Sequence, residues 1–124
     1  MSKSAVILIA HGARDPEWAA PMRRVWAAIQ AQRPDQRVDL AFLDFMKPDL
    51  LESAATLLAE GVERITIVPL FFAQGGHLKN DIPKLIDELR QQNPQVSIEM
   101  TGPVGEAEDV IRAMTAHVLS ITGE

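Results

Sequence analysis

Three side chains in this sequence could hold a divalent metal and move protons: His11, Asp44 and His77. Neutral imidazole with carboxylate is a borderline donor set that suits cobalt, nickel, iron or zinc, and three protein donors leave a coordination position open for exchange. Imidazole also titrates near neutrality, so one group could both bind metal and accept a proton. Each residue has a plainer reading. His11 could cap the following helix or bond a carbonyl, Asp44 could cap the next helix, and His77 could be a solvated loop residue. Neither HxxxH nor HExxH occurs, so a metal site requires a fold that brings the three together.

The elements that must do so are legible in order. Ala5 to Ala10 is a continuous apolar run, as expected for a strand buried on both faces, and His11 stands at its carboxyl end. Trp18, Met22, Val25, Trp26 and Ile29 recur at helical spacing behind Asp15 as N-cap and Pro16 as first helical residue, which predicts a helix packed through that stripe. Arg37 to Phe45 alternates as a second strand with Val38, Leu40 and Phe42 inward and mainly one face covered, and Asp44 lies at its end. Pro48 opens a helix with Leu50, Leu51, Ala54, Leu57 and Leu58 buried, and Gly61 supplies a left-handed cap.

A third strand, Glu63 to Leu70, finishes near Val68 because Pro69 cannot donate to a ladder. A long loop follows, in which Gly75 and Gly76 permit unusual backbone angles beside His77. Asp81 and Pro83 then start a helix with Ile82, Leu85, Ile86 and Leu89 inward. Gln95 to Met100 is a short fourth strand, and Glu106 to Ile121 is a last helix with Val110, Ile111, Met114, Val118 and Ile121 inward. Four βα units predict one α/β domain over 1–124, a flavodoxin-like doubly wound parallel four-stranded sheet in the order 2-1-3-4. In that order the strands ending at His11, Asp44 and His77 are neighbours, and the crevice where strand direction reverses lies between the first and third.

Composition removes other chemistries. With no cysteine there are no disulfides, thiolate sites or cysteine nucleophiles. A net charge of -5 with no basic run argues against nucleic acid. Met1-Ser2-Lys3 leads directly into the first strand, so neither secretion nor membrane insertion is expected and the chain is read as cytoplasmic. Neither GxxxxGK[ST], GxGxxG nor GxSxG is present, so nucleotide use is unsupported. His11-Gly12 with Arg14 admits a phosphohistidine reading, but only that one arginine is near in sequence. His117, inside the last helix, is a surface or packing residue.

HGARDP at 11–16, AFLDF at 41–45 and VPLFFAQGGHLKNDIP at 68–83 together resemble the short-form sirohydrochlorin cobaltochelatases, the CbiX-like class II chelatases, over essentially the whole chain. The resemblance implies ATP-independent insertion of cobalt or ferrous iron into a sirohydrochlorin-type tetrapyrrole, in cobalamin or sirohaem biosynthesis, with the metal as substrate and no nucleotide or organic cofactor. It makes His11 and His77 the metal-site histidines. The motif holding Asp44 usually carries glutamate, one methylene longer. Longer chelatases of the superfamily have two lobes, so one lobe implies a homodimer. A flat macrocycle needs a wall on each face, for which Phe71, Phe72 and Leu78 are candidates, beside Gly75 and Gly76. Its carboxylates need local cations, for which Arg14, Lys79 and Lys47 are placed. The alternative from another class is a non-catalytic metal- or tetrapyrrole-binding module that kept the fold.

Overall fold

The computed structural model describes residues 3–73 and 75–123, and of residues 76–79 the backbone alone. Strands β1 (Ser4–Ala10), β2 (Arg37–Phe42), β3 (Arg64–Pro69) and β4 (Ser97–Met100) form one sheet in the order β2-β1-β3-β4, with every pair parallel. β1 is central because Ile7, Leu8, Ile9 and Ala10 are buried on both its faces, which only an inner strand can achieve. Register then aligns three strand ends: Ala10 pairs with Phe42 and Ile9 with Pro69. The expected topology is what the structure has.

Helices α1 (Ala20–Gln32), α2 (Leu50–Ala59), α3 (Gly76–Gln92) and α4 (Glu108–Thr122) alternate with the strands. The main core lies between the sheet and α2 with α3. Ile7, Ile9, Ala41, Ile65, Ile67 and Ile98 meet Leu50, Ala54, Leu57, Ile82, Ile86 and Leu89 there. α2 is started by a capping box in which Asp49 accepts from the Glu52 amide while Glu52 accepts from the Asp49 amide, and it ends at Gly61 with φ +84°. Ser53 is buried and satisfied by donating to Asp39 at 3.1 Å. Among the described residues no helix is long and apolar enough to cross a membrane.

Several expectations need correction. β2 stops at Phe42, because Phe42 and Leu43 turn to bond Pro48 and Ala10 and so begin the next loop. Its carboxyl end is covered on both faces: Ala41 joins the main core while Phe42 packs with Ala10 and Ala19 on the other side. Asp15 does cap Pro16–Ala19, but as a 3-10 turn, and α1 begins only at Ala20. The α1 stripe is core only at its start: Trp18 and Met22 are half-buried and pack against Ala10, Ala19 and Phe42, Ile29 is half-buried, and Val25 and Trp26 are exposed. Trp26 instead lies along the edge strand, where its indole N–H donates to the Val38 carbonyl at 2.7 Å. Leu51 of the α2 stripe is exposed too. α3 begins at Gly76 and continues through Pro83, so residue 77 sits in a helical first turn and not in a loop. None of the α4 stripe is buried.

Candidate functional site

The aligned strand ends build the site. Leu43 N–H donates to the Ala10 carbonyl (2.9 Å), Asp44 N–H to the His11 carbonyl (3.0 Å) and Leu70 N–H to the Ile9 carbonyl (2.8 Å). The chain after β2 and β3 therefore stays tied to β1 for one or two residues past the sheet. Gly12 makes the close approach possible: its φ is +92°, and a Cβ there would collide with the Asp44 carbonyl. His11 and Asp44 are thus held side by side through their backbones.

The His11 imidazole is solvent-facing and lies on the Phe71 ring, with centroids 4.3 Å apart and planes 30° apart. Phe71 is buried in the main core, so the imidazole rests on a fixed floor and presents its nitrogens at the ring edge. Two further aromatic side chains leave the strand ends and face water: Phe45, 57% exposed, follows β2, and Phe72, 74% exposed, follows β3. Large apolar rings left in water beside a titratable group are what a flat apolar ligand would cover. The sequence expectation named Phe71 and Phe72 together as walls. The structure separates them into a buried support and an exposed surface.

Asp44 is exposed, and its carboxylate accepts the Phe45 amide at 2.9 Å. That bond stabilises a turn in which Phe45 adopts φ +67°, a left-handed conformation uncommon for an aromatic residue. Arg14 does not pair with Asp15 or Glu17 among the described contacts. Its guanidinium stands 5.0 Å from the Phe45 ring centroid, while Asp15 accepts the Glu17 amide as a cap. Lys47 does not serve this crevice: its ammonium pairs with Glu52 (3.2 Å) and Asp49 (3.4 Å) at the start of α2, and its pKa is raised chiefly by the bond to Glu52. Gly75 has an ordinary extended conformation (φ -77°, ψ 158°) as N-cap of α3, so no unusual angle requires glycine there.

Gly76, His77, Leu78 and Lys79 occupy the first turn of α3, and their side chains lie outside the described residues. Among the described residues no three His, Asp or Glu side chains form a metal-ligating group. His11 and Asp44 are brought together by backbone bonds, then, and a third donor is not assembled by what is described. Phe45 and Gly12 escaped sequence reasoning. An aromatic after a strand usually reads as core, and only the close approach of two loops reveals what Gly12 permits.

The CbiX family model matches residues 5–120. The sirohydrochlorin cobaltochelatase of Saccharolobus solfataricus is 34% identical over 119 residues, which cover 91% of each chain. The crystal structure of a CbiX protein assigned to cobalamin (vitamin B12) biosynthesis, from Marinobacter aquaeolei VT8, superposes with a TM-score of 0.84 at 28% identity, covering 97% of this chain and 98% of that one. The sirohydrochlorin chelatase SirB of Bacillus subtilis subspecies spizizenii, solved with cobalt, shares the fold at 24% identity with a TM-score of 0.81; this chain is 96% covered but spans only 51% of that longer chain. On the family match over nearly its whole length, this chain belongs to the CbiX family.

Proposed function

We propose that this protein inserts cobalt or ferrous iron into a sirohydrochlorin-type tetrapyrrole, without nucleotide, on the way to cobalamin or sirohaem, and that it does so as a homodimer. The observation that carries the reading is the His11 imidazole, stacked on buried Phe71 where the chain leaves the carboxyl ends of the strands, in a chain of the CbiX family. The name of the Saccharolobus relative and the cobalt in the SirB structure support the choice of reaction and metal.

Metallation joins a divalent ion to the macrocycle and releases two pyrrole protons. A neutral imidazole fixed at the crevice floor can ligate the incoming ion and take a proton as the pyrrole nitrogen binds. His11 has that position, and His77 is the second donor in this reading. Asp44 sets the turn that carries Phe45, and its carboxylate can accept from a ligated imidazole. Phe45 and Phe72 bear on the macrocycle, Arg14 and Lys79 meet its carboxylates, and the backbone at Gly75 and Gly76 lies alongside. One crevice offers one wall to a flat ligand, so the other face falls to a second copy.

Absorbance assays of cobalt and ferrous insertion into sirohydrochlorin test this. The wild type should accelerate metallation over a protein-free control, and His11→Ala and His77→Ala should each lower kcat/KM by about 10²-fold or more. A wild-type rate equal to the control with both metals would overturn the enzymatic reading in favour of a binding module.

A further inference from the structure

β2 is an edge strand, bonded to β1 on one side and to no strand on the other. Its odd residues turn their backbone groups toward β1, in line with the bond from Leu43 N–H to the Ala10 carbonyl, and its even residues turn theirs outward. Val38 and Phe42 are engaged on that outer side. The Val38 carbonyl accepts the Trp26 indole N–H at 2.7 Å, and Phe42 N–H donates to the Pro48 carbonyl at 2.9 Å. Leu40 stands between them, and among the described residues no other segment bonds its outward N–H or C=O. A groove of about 470 Å³ lies here, lined by Trp26, Ala27, Val38 and Leu40 together with Arg23 and Pro48. α1 runs antiparallel to β2: Arg23 lies over the Phe42 ring at 5.6 Å, Trp26 reaches Val38, and Gln30 reaches the Gln36 carbonyl at 3.0 Å. Arg23 therefore stands at the Pro48 end of the groove and Trp26 at the other. No carboxylate pairs with the Arg23 guanidinium among the described residues, although the chain carries a net charge of -5.

We propose that this groove binds the free carboxyl terminus of a peptide or protein, added as a short parallel strand beside Leu40 with its terminal carboxylate on Arg23. An edge with unpaired backbone groups beside an apolar groove is a template for a further strand. The open stretch is short: Val38 to Phe42 spans roughly 13 Å, room for about three residues of added strand. Beyond it the strand cannot continue, because Pro48 already occupies the Phe42 N–H, so the added chain must end there. Running parallel to β2, it ends at Arg23, and a terminal carboxylate supplies the charge that this guanidinium lacks. Running antiparallel, it would set an amino terminus against the same cation. Its backbone pairs with Leu40, and one of its alternating side chains falls on Trp26 and Ala27, which are exposed. A second copy of this chain is a poorer occupant. Two β2 edges meeting about Leu40 would run antiparallel, bringing Arg23 of each copy to the Trp26 end of the other and leaving both cations unpaired. None of the groove residues takes part in the metallation proposed above, so the two sites stand or fall separately.

Acetylated tetrapeptides with randomised side chains are prepared twice, as free acids and as carboxyl-terminal amides. Each set is added to the isotope-labelled full chain while the Leu40 amide and Trp26 indole N–H signals are followed by nuclear magnetic resonance. The free acids should shift both signals, and the tightest of them should bind about tenfold better than its amide twin, as loss of one charge-assisted pair predicts. Arg23→Ala should abolish that preference with circular dichroism unchanged, since the residue is exposed, and Arg23→Lys should keep part of it. Free acids that move neither signal, amides that bind as well as acids, or an Arg23→Ala protein that keeps the preference would each overturn the proposal. Equal shifts from acetate would overturn it in favour of a simple anion site. A Leu40 signal that moves with protein concentration before any peptide is added would overturn it in favour of a contact between two copies.

Discussion

α3 and α4 are helices of similar amphipathic character and opposite fate. α3 buries Ile82, Ile86 and Leu89 against β3 and β4 within its own chain, while α4, with as clear an apolar stripe, buries nothing. On the α2 and α3 side the core is closed and self-sufficient; on the α1 side it is thinner, with a small cluster of Phe42, Ala10 and Ala19 beside buried Leu8 and Val38. The difference teaches that helical periodicity reports that a helix has a surface to cover, without reporting whose surface it is.

The contrast can be broken most forcefully on the closed face. Ile86→Ala should cost about 2–5 kcal/mol, by lost burial and the cavity left behind, and its effect on Tm should not vary with protein concentration. A cost that grows with concentration would mean that the α3 core also depends on a second copy. A smaller effect is expected at the entrance to α2. The Asp49 carboxyl is held below its ordinary range, first by accepting the Glu52 amide, against some desolvation and with help from Lys47. Asp49→Ala should cost about 1 kcal/mol at neutral pH. Because the folded carboxyl titrates below its unfolded value, the cap's contribution is complete above pH 4. It fades as pH falls from there through the folded pKa, so the Tm gap between wild type and variant should narrow in acid. The smallest change concerns α4. Val118→Ala should move stability by less than about 0.5 kcal/mol, because the side chain already faces water. A cost as large as that at Ile86 would place α4 with α3.

Much of this molecule was legible because its signals are local. The β1 run, the Gly61 stop and the four βα units name their elements from adjacent residues, and parallel topology then follows with few alternatives. That His11 and Asp44 would lie side by side was legible for the same reason, as polar residues ending neighbouring apolar strands. What was not legible depends on contacts between distant segments. Val25 and Trp26 read as core until the structure leaves them exposed, with the Trp26 indole N–H on the Val38 carbonyl of the edge strand. Lys47 reads as a crevice cation until the Asp49 and Glu52 carboxylates claim it. Phe45 reads as the end of a strand until its amide bonds the Asp44 carboxylate in a turn at φ +67° that leaves the ring exposed.

Phe71 serves two masters. Its ring is the floor beneath the His11 imidazole, and its carbonyl is the anchor of Gly105, from which α4 departs. The imidazole and the start of α4 consequently share one residue as their foothold, through its ring and its carbonyl respectively. A substitution there that shifts the backbone disturbs the support of His11 and the seat of the turn before α4 together, whereas one that only trims the ring touches the imidazole alone.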